Sequence, residues 1–452
     1  MEALMIAIFV IGYLCIALEH PIRIDKAASA MVTGVLCWTA YILLAQHVDI
    51  PEWFTQFTAT KGIPEGSAHE QMTHYIVEGQ LLHYLGEIAS ILFFLLGAMT
   101  IVELVDVYEG FSLITSKIQT LNKVKLLWIV GFLTFFLSAA LDNLTTSIVL
   151  ISLLRKLISD KKDRMFFAGI VIIAANAGGA WSPIGDVTTT MLWIGGQISA
   201  LSIVKEIFLP SLVCIVVPLL YLSFIMKGAI ERPKSLHSDT SHNVNPLHQK
   251  IIFAVGVGGL LFVPIFKTIT HLPPFMGMIF SLGIIWIVSE ILNRNADHNA
   301  TSSTNVVSVL KKIDTSSVLF FLGILVAITS LQATGILSNL ANSLDKSIGN
   351  ENLIVITIGL LSSIVDNVPL VAASQGMYSL AQFPMDHHFW HFMAYCAGTG
   401  GSCLIIGSAA GVAVMGMEKI DFIWYLKRIS LLALLGYFAG IGVFIIEEYL
   451  GL

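Results

Sequence analysis

The chain returns repeatedly to apolar stretches about as long as a bilayer is thick. Ten can be drawn, over 3–18, 28–46, 84–106, 165–198, 206–226, 250–268, 275–292, 315–341, 388–416 and 426–447. A hydrocarbon core about 30 Å thick asks for about 20 apolar residues of helix. Of the 452 residues 56% are hydrophobic and 12% charged, about half the charge of a soluble domain. The expected fold class is therefore all-α and polytopic, with about ten transmembrane helices. Net charge is −6 and no basic block suits nucleic acid, so none is expected as a partner; the lipid bilayer is.

Positive charge orients the spans. Arg23, Lys26, Lys117, Lys123, Lys125, Lys227, Arg232, Lys234, Arg294, Lys311, Lys312, Lys419, Lys427 and Arg428 cluster at alternate ends and are placed in the cytoplasm. The loop 47–82 carries Lys61 against Asp49, Glu52, Glu65, Glu70 and Glu78 and is placed outside, which also puts both termini outside. No basic n-region or small-residue cleavage site precedes His20-Pro21, and no transit peptide is evident, so a bacterial inner membrane is the expected location.

Two further apolar stretches, 126–158 and 353–380, are each interrupted near the centre by Asp-Asn. The first has Lys123 and Lys125 before it and Arg155, Lys156, Lys161, Lys162 and Arg164 after it, so both ends read as cytoplasmic. The second is flanked by Glu351, Asp386, His387 and His388 and reads as external at both ends. Two re-entrant helical hairpins entering from opposite faces follow. Their sequences also match. Ser138-Ala-Ala-Leu-Asp142-Asn143 resembles Ser362-Ser-Ile-Val-Asp366-Asn367, and Gly178-Gly179 with Gly185 matches Gly400-Gly401 with Gly407 in the same register. Each half reads as span, hairpin, glycine-broken span, span. Such an inverted repeat with broken helices is the layout of secondary transporters. The expected organisation is a scaffold with external loop over 1–83, a first repeat over 84–227, linker spans over 228–314 and a second, inverted repeat over 315–452.

Irregular backbone cannot face lipid. The breaks Gly178-Gly-Ala-Trp-Ser-Pro-Ile-Gly-Asp186 and Gly398-Thr-Gly-Gly-Ser-Cys403 must line a cavity or pack inside protein, where their carbonyls offer oxygen ligands. Sodium ions and protons both seek oxygen, and a carboxylate can hold either. Burial disfavours its ionised form, which lets a proton compete. Asp142, Asp366 and Asp186 are the candidate ion-binding and proton-coupling acids. Asn143, Asn367, Asn176, Thr145, Thr146, Thr188, Thr189 and Ser402 could complete the coordination. The equivalent of Gly185-Asp186 in the second half is Gly407-Ser408, so the acids are distributed unequally. The alternative reading of each acid is a cap bonded to backbone N–H groups; a cap and an ion ligand are not exclusive.

Glu87 and Glu103 lie sixteen residues apart in one span, near its opposite ends, and either could be an interfacial acid or, for Glu87, an external proton acceptor. The five cysteines, Cys15, Cys37, Cys214, Cys396 and Cys403, form no CxxC pair and read as small hydrophobes. His69-Glu70-Gln-Met-Thr-His74 has one residue too many between its histidines for the zinc-protease pattern. His237, His242 and His248 read as solvated. His387, His388 and His391 read as a hydrated external loop that could also sense pH. Segments 235–246 and 295–305 are polar loops, and Gly436-x-x-x-Gly440 is a helix-packing pattern.

The motifs at Asp142-Asn143, Gly178-Gly-Ala-Trp-Ser-Pro-Ile-Gly-Asp-Val-Thr-Thr-Thr190, Asp366-Asn367-Val-Pro and Ile91-Leu-Phe-Phe-Leu-Leu-Gly-Ala-Met-Thr-Ile-Val-Glu103 together resemble the NhaD-type sodium/proton antiporters of the ion transporter superfamily. The resemblance runs from about residue 84 to the C-terminus. It implies an elevator-type fold and electrogenic exchange of external H+ for cytoplasmic Na+ or Li+, strongest at alkaline pH. It implies functional roles for Asp142, Asn143, Asp186, Thr188, Thr189, Asp366 and Asn367, with Ser362, Ser402 and Glu87 in support, Na+ being held at Asp142, Asn143, Asp186, Asp366 and Asn367. It implies no cofactor beyond the transported ions. Elevator carriers usually dimerise, so a homodimer is expected. A sodium-coupled di- or tricarboxylate transporter and an arsenite exporter share this architecture. Carboxylate carriers need neutral hairpin tips, whereas Asp occupies both tips here. No HExxH or GxSxG pattern supports an enzyme.

Overall fold

The computed structural model describes residues 2–45, 50–52, 54–55, 67–115, 117–233, 245–294, 306–364 and 366–451. Asp49, Lys61, Glu65, Lys234, His237, His242 and the segments 235–244 and 295–305 lie outside the described residues. Among the described residues there is helix and no strand. The principal helices are α1 (Glu2–Ala17), α2 (Lys26–Leu44), α3 (Leu82–Val107), α4 (Lys123–Leu141), α5 (Asn143–Leu157), α6 (Lys161–Ala180), α7 (Val187–Ile194), α8 (Ala200–Ile225), α9 (Pro246–Thr270) and α10 (Pro274–Asn293). They continue with α11 (Thr315–Ala333), α12 (Ile336–Ile348), α13 (Glu351–Leu361), α14 (Asn367–Met377), α15 (His388–Gly400), α16 (Ala409–Glu418), α17 (Phe422–Arg428) and α18 (Ser430–Leu450).

Eight described helices are long and apolar enough to cross a membrane. The difference from ten stretches has identifiable causes. Helix α1 is 16 residues long. The stretches 165–198 and 388–416 break into α6–α7 and α15–α16, while α4, one arm of the first hairpin, is itself of spanning length. The stretch 315–341 is not one span. Gly335 turns the chain at φ +75°, and α12 beyond it is an amphipathic helix that buries Ile336, Leu337 and Ala341. The loop expected over 47–82 is helical in its last part, because Ala68–His74 and a π-helical stretch, Tyr75–Leu81, run into α3. Ser67 starts this helix in a capping box with Glu70, and the Ser67 N–H and hydroxyl hold the Glu70 carboxyl below its ordinary pKa.

The chain divides into two compact units. The first comprises Met1–Leu92, Asp314–Gly349 and Ala372–Ser379; the second comprises Phe93–Ile313, Asn350–Val371 and Leu380–Leu452. In the first, α2 packs on α11. Glycine makes this possible, since a Cβ on Gly323 would lie 2.4 Å from Met31 N, and the Trp38 indole donates to Val326 O across the contact (2.8 Å). In the second unit α8 packs on α18, where a Cβ on Gly436 would strike Cys214 O and one on Gly440 would lie 2.6 Å from Pro210 O. The glycine pair read as a packing pattern thus sits in a helix contact.

The second unit repeats one set of contacts in its two halves. A Cβ on Gly178 would meet Phe135 O at 2.2 Å, and one on Gly400 would meet Gly359 O at 2.0 Å. Ser138 Oγ donates to Ala175 O at 2.6 Å, and Ser362 Oγ donates to Ala397 O at 3.0 Å. Gly185 lies against Ser138 O and Gly407 against Ser362 O. Helix α4 thus seats on α6, and α13 on α15, each through a serine and a close glycine.

Candidate functional site

The site is assembled where helices stop. Helix α6 ends at Ala180, and the segment 181–186 runs without regular helix to Asp186, which caps α7. Helix α15 ends at Gly400, and Ser408 caps α16 in the same extended conformation. Asp142 closes α4 and opens α5. Each end leaves backbone groups without intrahelical partners, so the polar side chains that gather there have a structural reason to be present.

Those side chains form one connected network. The Asp186 carboxylate, 2% exposed, accepts from Thr188 N at 3.0 Å through Oδ1. Its Oδ2 accepts from Asn143 Nδ2 at 2.9 Å and from Asn367 Nδ2 at 3.4 Å. Asn143 Nδ2 also donates to Asn176 Oδ1 at 3.0 Å. Asn176 Nδ2 in turn donates to Ser402 Oγ and Ser408 Oγ, both at 2.9 Å. An ionised carboxylate can only accept, which fixes the Asn143 amide as donor, and the NH2 groups of Asn143 and Asn176 then each spend both hydrogens. Asn143, Asn176, Asp186 and Thr188 meet Asn367, Ser402 and Ser408 here, and all seven are buried.

The remaining candidates are placed as follows. Asp142 caps α5, accepting from Thr145 N and Thr145 Oγ1, both at 2.8 Å. It does so at φ +100° and ψ 159°, a region glycine alone enters without strain. Asp366 Oδ1 accepts from Val368 N at 3.4 Å. Both tip aspartates thus act as caps, one residue away from the asparagines that join the network. Thr189 Oγ1 donates to Ala180 O, and Ser362 holds α13 on α15. The Thr146 hydroxyl is buried without a hydrogen-bond partner among the described residues, and the Thr188 hydroxyl lies beside the Asp186 carboxylate without a well-directed bond to it. Buried polar atoms are normally satisfied, so these two are open positions for an oxygen-seeking cation or a water.

Glu87 and Glu103 do not bond to this network. Glu87 is exposed and lies 3.5 Å from His83; Glu103 lies 3.8 Å from Lys312. Ser408 was legible as the neutral counterpart of Asp186 but was not counted as a site residue; the repeat register was the signal for it. A second omission is Glu418. Its carboxylate, 1% exposed, lies 2.7 Å from both Arg155 Nε and Arg164 Nε, and Arg155 also donates to Met417 O. This triad ties the ends of α5 and α6 to the end of α16. His391 is not in a hydrated loop. It is 2% exposed and sits 3.0 Å from Ser202 Oγ and 3.7 Å from Asp386 Oδ1.

Comparison with known proteins identifies relatives over most of the chain. The family model described as "Citrate transporter" (CitMHS) matches residues 13–393. The chain is 46% identical to "Sodium/proton antiporter 1" of Arabidopsis thaliana, over 98% of this chain and 72% of that protein. It is 43% identical to "Sodium/proton antiporter 2" of the same plant, over 97% of each. The chain belongs to the NhaD-type sodium/proton antiporters. Within the family, the "Na(+)/H(+) antiporter NhaD" of Alkalimonas amylolytica is 28% identical over 97% of this chain and 89% of that protein. Membership in this antiporter family makes the protein a multi-pass membrane transporter.

Proposed function

We propose that the protein exchanges Na+, or Li+, for H+ across its membrane by competition of the two ions at Asp186 and its neighbours. One observation carries this reading. Asp186 is a buried carboxylate whose bonded partners are amides and a backbone N–H, and no lysine, arginine or histidine among the described residues pairs with it. An isolated buried charge is costly unless it finds a partner or a proton. A sodium ion supplies the partner in one half of the cycle and a proton neutralises the group in the other. Asn143, Asn367 and the hydroxyls of Thr146 and Thr188 would add neutral oxygen ligands. Asp142 and Asp366, carried on the tips, would pass protons or take part in coordination.

Basic loop ends would face the cytoplasm and both termini the exterior of a bacterial cell membrane. The hairpins would enter from opposite faces, the halves 84–227 and 315–452 would form an inverted repeat moving as an elevator, and spans in 1–83 and 228–314 would form a scaffold through which two copies pair. A carboxylate carrier, the activity in the family model's name, is disfavoured by Asp186 at the network's centre, where an anion would meet a like charge.

Everted membrane vesicles test the reading. Na+ added to energised vesicles of the wild type collapses the pH gradient, and Asp142→Asn and Asp366→Asn weaken or abolish that response. Sodium that still dissipates the gradient in both variants removes the tips from the mechanism. Citrate uptake in place of proton movement reverses the substrate class.

A further inference from the structure

The half-helix that presents Asp186 is held at its other end by a cation. Helix α7 is only eight residues long, about 12 Å. Its N-terminal end is capped by Asp186. At its C-terminal end, Lys267 Nζ donates to Trp193 O at 3.0 Å and sits over the Trp193 ring, 4.6 Å from the ring centroid. Trp193 is itself buried and meets the Phe94 ring edge-on at 6.4 Å. Lys267 belongs to the last turn of α9, in the linker between the two repeats.

This is an unusual use of a lysine so near a helix end in an apolar segment. A lysine there ordinarily extends its ammonium to the water at the interface. Lys267 instead folds onto a carbonyl of another helix, with an aromatic face beneath it. The chain that follows closes the last turn of α7, with Gly195 N on Met191 O and Gln197 N on Leu192 O, while Gly196 N reaches Trp193 O only at 3.4 Å, longer than the 3.0 Å of the Lys267 bond. Lys267 completes the Trp193 carbonyl. An acid at the N-terminal end and a cation at the C-terminal end both complement the helix dipole, so α7 is electrostatically fixed at one end by its own cap and at the other by a residue of α9.

We infer that Lys267 is a positioning residue for ion binding: its ammonium anchors α7 so that Asp186 is held toward Asn143 and Asn367. The inference rests on the exchange reading of Asp186. The other acids near Asp186 are Asp142 and Asp366, and neither contacts Lys267, so the lysine acts through α7 and not by neutralising a tip.

Na+-driven proton movement in proteoliposomes, measured against Na+ concentration at one pH, tests it. Lys267→Met raises the Na+ concentration for half-maximal rate by roughly two- to fivefold, the range of a cation lost from a helix end. The rate at saturating Na+ stays within twofold of wild type, and Lys267→Arg restores the half-maximal concentration. A Met variant with unchanged half-maximal concentration overturns the inference, whatever its maximal rate. So does an Arg variant as impaired as the Met variant, because the charge would then not be the agent. Should Lys267→Met fail to accumulate in the membrane, Lys267→Gln, which keeps length and a donor without the charge, is compared with Lys267→Arg on the same terms. Wild-type protein that moves no protons on addition of Na+ would instead defeat the exchange reading.

Discussion

Asp186→Asn is the substitution that most directly tests the proposed exchange at the buried carboxylate. The side chain keeps its shape, yet its hydrogen-bond pattern cannot be kept. Oδ1 accepts from Thr188 N, and Oδ2 faces the amide groups of Asn143 and Asn367. An amide offers one oxygen and one NH2, so in either orientation a donor meets a donor. A buried donor left unsatisfied costs about 1–3 kcal/mol. The larger loss is the charge. A carboxylate and a monovalent cation about 4 Å apart attract by about 4 kcal/mol at an effective dielectric constant of about 20, which is about a thousandfold in affinity. The expected outcome is a variant that reaches the membrane but shows no Na+-dependent proton movement at concentrations that saturate the wild type. The assay is dye-reported pH change in proteoliposomes holding equal amounts of each protein. A variant whose half-maximal Na+ concentration lies within tenfold of wild type would refute the reasoning, because the ion would then not be bound by that carboxylate.

Two further outcomes concern the ends of the helices. Glu418→Ala leaves the guanidinium groups of Arg155 and Arg164 facing a vacated, buried position; breaking such a pair costs about 3–5 kcal/mol, and the lower end applies because Arg155 is half-exposed. The melting midpoint in detergent falls, and an unchanged midpoint would show that the triad contributes nothing. His387 caps α15 through Nδ1, which accepts from Phe389 N, and burial, aided by the neighbouring His388, lowers its pKa. The neutral form is therefore the one the fold favours. Its contribution is complete above the ordinary histidine pKa of about 6.5 and is lost as pH falls through the lower folded value. His387→Asn keeps a capping oxygen without titrating, so melting midpoints at pH 5 and pH 8 differ less in this variant than in wild type.

Much of the architecture was legible because the bilayer punishes exceptions. Apolar length marked the helices, and Asp-Asn inside two such stretches marked the interruptions at residues 142 and 366. The register of Gly178 with Gly400 was legible because a Cβ at either would strike a backbone carbonyl. What stayed hidden depends on distance in space. Gly335 in an apolar stretch reads as tolerated until its positive φ is seen. The π-helical stretch 75–81 carries no period that a sequence displays. Asn176 and Ser402 were legible as polar residues in apolar surroundings, but their bonding to each other was not. Glu418 carried no signal in the sequence, because its two arginine partners are more than 250 residues away in the chain.

The backbone at Asp142 has a consequence for how such a protein can be selected. Glycine would enter that conformation freely, whereas an aspartate is held there at a cost of about 1–3 kcal/mol. Asp142→Gly would relieve that cost and remove a carboxyl proposed above to serve the transported ions, so a gain in folding yield and a loss of exchange would come from one substitution.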